Sequence, residues 1–310
     1  MKEKELIRII KSTLNSQYIG DDCAYLPDLG IVITQDSLVE DVHFKLDFTT
    51  PYQLGYKSAM VNISDVCASG AVPKYLTISL SLPKYIDENF VKEFYEGAKD
   101  ACQDVEIVGG DITGSDKIYI SVTAIGSTKG RKISSRSNAK VDYKIIVSGE
   151  HGNSAKGLEL LTDNPSPAFQ APSPTRGEGK KDKFLHAHLM PVAQRDFSQQ
   201  IAESINCDYA MMDTSDGLAD ALMQIAKASN VTISIDTSKI PHDASVDMDT
   251  VLYGGEDYQL IAAVPKDIAE KLDYPIIGEV KKGKTGIELD GKFCSNIDDK
   301  LYNHFEVKNE

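Results

Sequence analysis

The sequence lacks several features that mark whole classes of protein. It contains no tryptophan, and its five cysteines are scattered and never form a Cys-x-x-Cys pair. That pattern is typical of reduced thiols in a cytoplasm and argues against a zinc knuckle. No stretch approaches the roughly 18 consecutive apolar residues of a membrane-spanning helix, so no membrane span is predicted.

Positive charge is also scarce. The chain has 33 lysines and arginines against 47 aspartates and glutamates, which gives a net charge of −14 and a pI near 4.9. Such a surface repels nucleic acid and anionic membranes, so we expect neither as a partner. It would also repel a phosphate ligand unless cations lie between the ligand and the protein.

The length of 310 residues predicts two domains. We place the boundary near Arg136, giving domains of residues 1–137 and 138–310. Strands and helices alternate without the strict rhythm of a doubly wound sheet, and several strands alternate in polarity, which favours an α+β fold. The stretch at about 163–182 is rich in proline and has no hydrophobic period, so it is predicted to be a flexible surface insertion.

The segment Tyr209-Ala-Met-Met-Asp213-Thr-Ser-Asp-Gly217 organises the rest of the sequence. An apolar run ends in acids, hydroxyls and glycine, and helical periodicity follows from Leu218, so a strand, a tight turn and a helix are predicted. Serine and aspartate there can cap the helix, which is the commoner interpretation. The same residues would also suit a cation that accompanies a phosphate.

Other acids follow or interrupt apolar elements in a similar way. Asp36 is predicted just after the strand 31–34, Asp111 at another strand end after two glycines, and Asp65 inside a helix from Pro51 to Gly70. Each acid alone is more typical of a turn or a cap. Together they are hard oxygen ligands, which favour Mg²⁺ or Ca²⁺ and suit phosphoryl transfer. The acids that share the pattern are Asp21, Asp22, Asp36, Asp65, Asp111, Asp213, Asp216 and Glu256.

Two other signals are weaker. Residues 278–285 fit the phosphate-loop pattern G-x-x-x-x-G-K-[ST], but that motif needs a following helix, and here strand-like sequence follows. We therefore interpret the match as chance. Among the histidines, His43 lies among acids and is kept as a substrate contact, whereas four others are interpreted as surface residues. The four are His151, His186, His188 and His242.

Taken in order, six segments resemble the thiamine-monophosphate kinase family. The order and approximate spacing of the motifs match from Ile19 to Phe305, which is nearly the whole chain. Each motif is weak by itself, but the ordered set is specific. The segments are Ile19-Gly-Asp-Asp-Cys-Ala24, Thr34-Gln-Asp-Ser-Leu-Val-Glu40 with His43-Phe44, Val61-Asn-Ile-Ser-Asp65 with Ala71-Val-Pro73, Gly109-Gly-Asp111, Asp213-Thr-Ser-Asp-Gly-Leu218 and Gly254-Gly-Glu-Asp-Tyr258.

The resemblance implies direct in-line transfer of the ATP γ-phosphoryl group to thiamine monophosphate, assisted by several Mg²⁺ ions. It also implies two α/β domains of the aminoimidazole-ribonucleotide-synthetase-like superfamily, with the N-terminal sheet at the interface of a homodimer. The implied metal ligands are Asp22, Thr34, Gln35, Asp36, Asp65, Asp111, Asp213 and Asp216. We assign the six aspartates among them as catalytic residues. Implied nucleotide contacts are Gly110, Asp111, Arg136 and Ser215, and implied substrate contacts are His43, Glu256 and Tyr302.

Three positions depart from the family pattern, and two other functions stay open. Gln35 stands where threonine is usual, Asp41 where glycine is usual, and Ile112 where threonine is usual. A superfamily relative could use ATP on another acceptor, although the motif 254–258 argues against it. From a different class, the acids could form a divalent-cation binder without catalysis.

Overall fold

The computed structural model describes residues 3–163, 180–294, 297 and 300. Twelve strands of this part of the chain form two sheets. The first sheet contains β1 (Ala24–Leu26), β2 (Ile31–Val39), β3 (Val72–Leu82), β4 (Glu106–Gly114) and β5 (Tyr119–Ser127). Their spatial order is β1-β2-β5-β3-β4, and every pair is antiparallel except β3 with β4.

The second sheet has seven strands. They are β6 (Lys144–Val147), β7 (Ala210–Asp213), β8 (Thr232–Ile235), β9 (Leu260–Val264), β10 (Ile276–Lys281), β11 (Gly286–Leu289) and β12 (Lys292–Phe293). Their order is β12-β11-β8-β10-β6-β9-β7, with only β8 and β11 parallel. The largely antiparallel sheets confirm the predicted α+β class. The strands of the two sheets come from separate parts of the chain, and the boundary between 137 and 138 lies between them but stays a prediction.

Nine helices lie in the described ranges. They are α1 (Glu3–Leu14), α2 (Pro51–Ala68), α3 (Glu88–Cys102), α4 (Asn153–Asp163), α5 (Lys180–Leu189), α6 (Arg195–Ser204), α7 (Leu218–Ser229), α8 (Met248–Tyr253) and α9 (Lys266–Lys271). Among these residues, no helix combines the length and apolar character that crossing a membrane would require.

Helix α2 begins where the sequence predicted. Thr50 caps it, because the Thr50 side chain accepts from the amide of Gln53 while the Gln53 side chain accepts from the amide of Thr50. Pro51 occupies the first helical position, where its missing N–H costs nothing. Fourteen of the eighteen residues of α2 are buried, so this helix is enclosed on nearly all sides rather than on one face.

The core explains why α2 is enclosed. One apolar cluster runs from the first sheet through α2 and α3 to α6 and one face of the second sheet, where Phe197, Tyr209 and Met211 belong to it. A second cluster fills the space between the other face of the second sheet and helices α7 and α8. Helix α2 therefore lies at the junction of the two sheets.

Two predicted strand ends were wrong. Asp36 lies inside β2 and Asp111 inside β4, not at strand ends. Strand β2 continues past its polar residues because it pairs with β5 along its whole length, and side chains on the outer face pair with each other, as Gln35 does with Ser121 at 3.0 Å. Asp163 ends α4 and residues 180–182 begin α5, while residues 164–179 lie outside the described residues, so the insertion at about 163–182 stays a prediction.

Glycines let α2 and α3 approach closely. A Cβ on Gly55 would lie 1.8 Å from the carbonyl oxygen of Phe94, and a Cβ on Gly97 would lie 1.9 Å from that of Tyr52. Neither contact can be relieved by a side-chain rotation, because both partners are backbone atoms. The two glycines therefore fix the distance between the helices.

We expect Gly55→Ala to lower the free energy of unfolding by about 2 kcal/mol or more, because a methyl group would force the helices apart. Urea denaturation would measure the loss. Gly114→Ala is the matched control, since a Cβ on Gly114 would meet no atom within 4 Å, and it should change stability by less than about 0.5 kcal/mol. Equal stability of the two variants would contradict the close contact.

Candidate active site

Helix α2 carries polar side chains into the junction between the sheets. Thr34 Oγ1 on β2 donates to Asp65 Oδ2 at 2.7 Å, and Ser64 Oγ donates to Asp213 Oδ2 on β7 at 2.7 Å. Both serine and aspartate are unfavourable inside a helix, but here their side chains join α2 to the two sheets. The polar residues inside this helix therefore have a structural reason.

Asn62 holds the middle of β2 in place. Its Oδ1 accepts from the backbone N–H of Asp36 at 2.9 Å, and its Nδ2 donates to the carbonyl of Ser58 at 3.0 Å. Strand β1 pairs with β2 only as far as Ile33. Beyond that point the side chain of Asn62, which is fully buried, supplies the hydrogen bond that a strand would otherwise give.

Three carboxylates converge at this junction. One oxygen each of Asp22, Asp65 and Asp213 lies within 4.8 Å of the other two. Burial, together with the neighbouring carboxylates, raises the pKa of Asp65 well above its ordinary value and that of Asp213 to about 7. Burial also raises the pKa of Asp36, with the charge of Asp22 adding to the effect. Carboxylates in such a group are stable as anions only beside cations.

Arg136 supplies one positive charge. Its Nη2 donates to Asp22 Oδ1 at 2.9 Å, its Nη1 donates to Gln224 at 2.5 Å, and its backbone N–H donates to Asp21 at 2.8 Å. Burial raises the pKa of Asp22, and Arg136 opposes that rise. One guanidinium cannot balance several buried carboxylates, so the site fits additional cations with oxygen ligands.

The turn that follows β7 packs on the loop 254–258. The N–H of Ser215 donates to Asp213 Oδ1 at 3.4 Å, and the N–H of Glu256 donates to the carbonyl of Ser215 at 2.6 Å. A Cβ on Gly255 would lie 2.7 Å from that same carbonyl oxygen. The structure thus brings together the two motifs assigned to the nucleotide and to the substrate.

Two of the three predicted substrate residues, His43 and Glu256, lie in the described part of the chain. The ring of His43 accepts from the N–H of Val39 at 3.1 Å through Nδ1, so a neutral ring carries its proton on Nε2. His43 is close enough to Glu256 to help lower the pKa of Glu256. Asp41, which replaces the usual glycine, has φ of 66°, a conformation that aspartate tolerates better than most residues. Tyr302 lies outside the described residues.

Other predicted residues lie farther from the three acids. The side chain of Gln35 hydrogen-bonds Ser121 and Thr123 on the outer face of the first sheet. Asp111 is exposed on β4, and Asp216 is half-buried in the turn after β7. A Cβ on Gly110 would lie 1.8 Å from the carbonyl of Ile78, so this glycine already has a packing role. The ligand assignments as a set stay predictions.

The sequence analysis did not identify several residues that the structure places at the site. Lys57 and His188 contact Glu256, and Gln224 contacts Arg136. Asp257 accepts from the amides of Gly152 and Ser154 and so caps α4. Lys57, a lysine inside a mostly apolar helix, was the one sequence signal for these contacts. The other contacts join residues that are far apart in the sequence, so no local pattern indicates them.

Two histidine predictions were wrong. His151 and His188 are buried, with exposed fractions of 0% and 3%, whereas His186 is exposed as expected. His188 lies on the apolar side of α5 with Phe184 and Leu189, and the proline-rich sequence before it hid that helical pattern. The phosphate-loop match is confirmed as chance in its structural context, since a turn and β11 follow it rather than a helix.

Comparisons with known proteins extend over both sheets. Residues 20–128 match the family model for the N-terminal domain of AIR synthase related protein. The chain is similar to the thiamine-monophosphate kinase of Aquifex aeolicus (strain VF5), with 36% identity over 315 residues and 97% of each chain covered. It is also similar to that of Bacillus subtilis (strain 168), with 35% identity over 311 residues and 93% of each covered.

A solved structure gives the same likeness in three dimensions. It is described as AaThiL complexed with AMPPCP and TMP, and it superposes with a TM-score of 0.86 at 36% identity. The superposition covers 98% of this chain and 97% of that one. The likeness therefore includes both sheets and the junction between them.

Burial of His151 has a measurable consequence. Burial lowers the pKa of its ring to about 4, below the ordinary value of about 6.5. The neutral ring therefore contributes its full stability above pH of about 6.5, and that stability is lost as the pH falls towards 4. In NMR spectra, the ring signals that disappear in His151→Gln should stay constant from pH of about 8 down to about 5. A midpoint near 6.5 would contradict the buried neutral ring.

Proposed function

The chain belongs to the thiamine-monophosphate kinase family, as its ordered motifs predicted, and from that premise we propose that it transfers the γ-phosphoryl group of ATP to thiamine monophosphate. The products are thiamine diphosphate and ADP. The observation that carries the proposal is the convergence of Asp22, Asp65 and Asp213 beside Arg136. An acidic protein that binds two anionic substrates needs such a place for cations.

The residues present fit Mg²⁺. The converging donors are carboxylate oxygens, with the hydroxyl of Thr34 beside them, and no cysteine or histidine belongs to the three-acid group. This donor set suits a hard cation. The proposed ligands are Asp22, Thr34, Gln35 through its carbonyl, Asp36, Asp65, Asp111, Asp213 and Asp216. Bound Mg²⁺ ions would neutralise the charge of the phosphates.

The protein's own part in the reaction is alignment and charge balance. A phosphate oxygen of thiamine monophosphate attacks the γ-phosphorus in line, the bond from that phosphorus to the bridging oxygen breaks, and ADP leaves. The acceptor is already an anion at neutral pH, so it needs no strong base, and no residue has to form a covalent intermediate. Arg136 has the fork geometry that suits phosphate, and Ser215 and Gly110 complete the proposed nucleotide contacts.

The substrate end of the site is assigned to His43, Glu256 and Tyr302. Glu256 lies one hydrogen bond from Ser215, so the thiamine and nucleotide contacts adjoin each other. That adjacency supports direct transfer, because the reacting groups must be only about 3 Å apart.

We extend the proposal to a homodimer formed through the first sheet. Side chains on its outer face and on its edge strand are exposed although they are apolar, including Val108 at 55% and Ile112 at 63%. A second copy packed on this face would cover them. A mass near twice 33.9 kDa in light scattering would support the dimer.

The substrate can be identified by an ADP-release assay. With Mg²⁺ and ATP present, we expect ADP with thiamine monophosphate but not with thiamine or with aminoimidazole precursors. ADP formed with another acceptor would favour a different superfamily activity. Cation binding without any ADP would favour the non-catalytic alternative.

Two substitutions separate the acidic site from the phosphate-loop match. Asp213→Asn should lower kcat by on the order of a hundredfold, because a proposed ligand of the cation that balances the phosphate charge is lost. Lys284→Ala should change kcat by less than about twofold, since Lys284 lies in a turn with its Nζ 4.7 Å from the Phe293 ring. Mn²⁺ binding followed by electron paramagnetic resonance should weaken only in Asp213→Asn. Equal losses of kcat in both variants would instead support nucleotide binding by the phosphate-loop sequence at residues 278–285.

A further inference from the structure

Glu256 is held by two buried side chains that belong to other elements. Lys57 Nζ lies 3.1 Å from Glu256 Oε1, and His188 Nδ1 lies 3.4 Å from Glu256 Oε2. The side chains of Lys57 and His188 are only 3% and 4% exposed, whereas that of Glu256 is 26% exposed. Glu256 is therefore the member of the group that a ligand can reach, and its two partners lie behind it.

Charge and hydrogen bonding have different sources in this group. Burial lowers the pKa of His188 to about 3, and the charge of Lys57 adds to the effect, so His188 is neutral at pH 7. A hydrogen bond between its Nδ1 and Ser154 Oγ, 3.1 Å apart, holds the neutral ring so that Nδ1 also lies 3.4 Å from Glu256 Oε2. Lys57 thus supplies the positive charge that Glu256 faces, and the neutral ring of His188 fixes the orientation of the Glu256 carboxylate. Burial alone would raise the pKa of Glu256, but these neighbours reverse the effect and lower it.

The backbone of Glu256 is fixed as well. Its φ is 65°, a left-handed conformation that glutamate seldom adopts. Its N–H donates to the carbonyl of Ser215, and the next residue, Asp257, caps α4. Ser154 at the start of α4 also lies 3.1 Å from His188 Nδ1. Helix α4 therefore contacts Asp257, the chain neighbour of Glu256, and His188, whose ring lies against the Glu256 carboxylate.

We propose that Lys57 and His188 are positioning residues that keep Glu256 ionised and aimed at the thiamine part of the substrate. The inference rests on the proposed function, because it takes Glu256 as the contact for that part. Thiamine carries a positively charged thiazolium ring and an amino group, and an ionised carboxylate is complementary to both. Lys57 and His188 act through Glu256, so they should affect thiamine monophosphate and leave ATP unaffected.

Steady-state kinetics with both substrates tests this division. Lys57→Met keeps the length of the side chain and removes its charge, and it should raise KM for thiamine monophosphate about tenfold or more. KM for ATP should change by less than about twofold. His188→Phe should raise KM for thiamine monophosphate by a smaller factor, and His188→Asn should restore it, because the asparagine amide can take the place of Nδ1–H.

The matched control is Lys144→Met, which breaks another lysine–glutamate pair. In that pair, in the second sheet, Lys144 Nζ lies 2.6 Å from Glu279 Oε2. It should leave both KM values unchanged. If Lys57→Met does not fold, the double variant Lys57→Met/Glu256→Gln replaces both charges with neutral groups. It should match Glu256→Gln alone to within about twofold in KM for thiamine monophosphate, because the two residues act as one unit.

The outcomes are distinguishable. If wild-type protein neither binds nor phosphorylates thiamine monophosphate, the proposed function and the positioning role both fall. If wild-type protein is active but Lys57→Met leaves KM for thiamine monophosphate unchanged, only the positioning role falls. A rise in both KM values by the same factor, or a double variant whose effects simply multiply, would mean that Lys57 serves general stability and would also overturn it.

Discussion

The rest of this molecule depends on the mutual repulsion of acids that are buried together. Asp22, Asp65 and Asp213 approach within 4.8 Å, and Arg136 is the guanidinium that balances part of their charge. Carboxylates in this setting either take up protons or bind cations. The packing around the three acids holds them together in spite of the free-energy cost of burying their charges. An acidic protein of this kind can bind an anion at this junction only where further cations balance the remaining negative charge.

Helix α2 provides much of the packing that holds the acids, and its spacing gives it two polar sides. Lys57 and Ser64 are seven residues apart, so they lie on the same side of the helix, and they contact Glu256 and Asp213 of the second part of the chain. Asn62 and Asp65 lie on another side and contact β2. One buried helix therefore contacts residues assigned to the metal and to the substrate, and the close approach at Gly55 sets its position against α3.

Local sequence was enough to predict those secondary-structure elements whose start and end residues are marked by patterns only a few residues long. The start of the helix at Pro51 and the strand, turn and helix around Asp213 were predicted, and the structure confirms them. Predictions failed where the environment overrides the local pattern. Polar residues did not end β2, because β5 continues beside it, and His188 is buried, because α5 packs its apolar side inward.

The ordered motifs of the sequence indicated the family, and the alternating polarity of its strands indicated the α+β class, because both are local properties of the chain. Only the tertiary structure decided which acids meet, that Arg136 lies against Asp22, and that Lys57 and His188 lie behind Glu256. These pairs are separated by 114, 199 and 68 positions in the sequence. No local pattern encodes such contacts, since they form only when elements that are far apart in the sequence pack together.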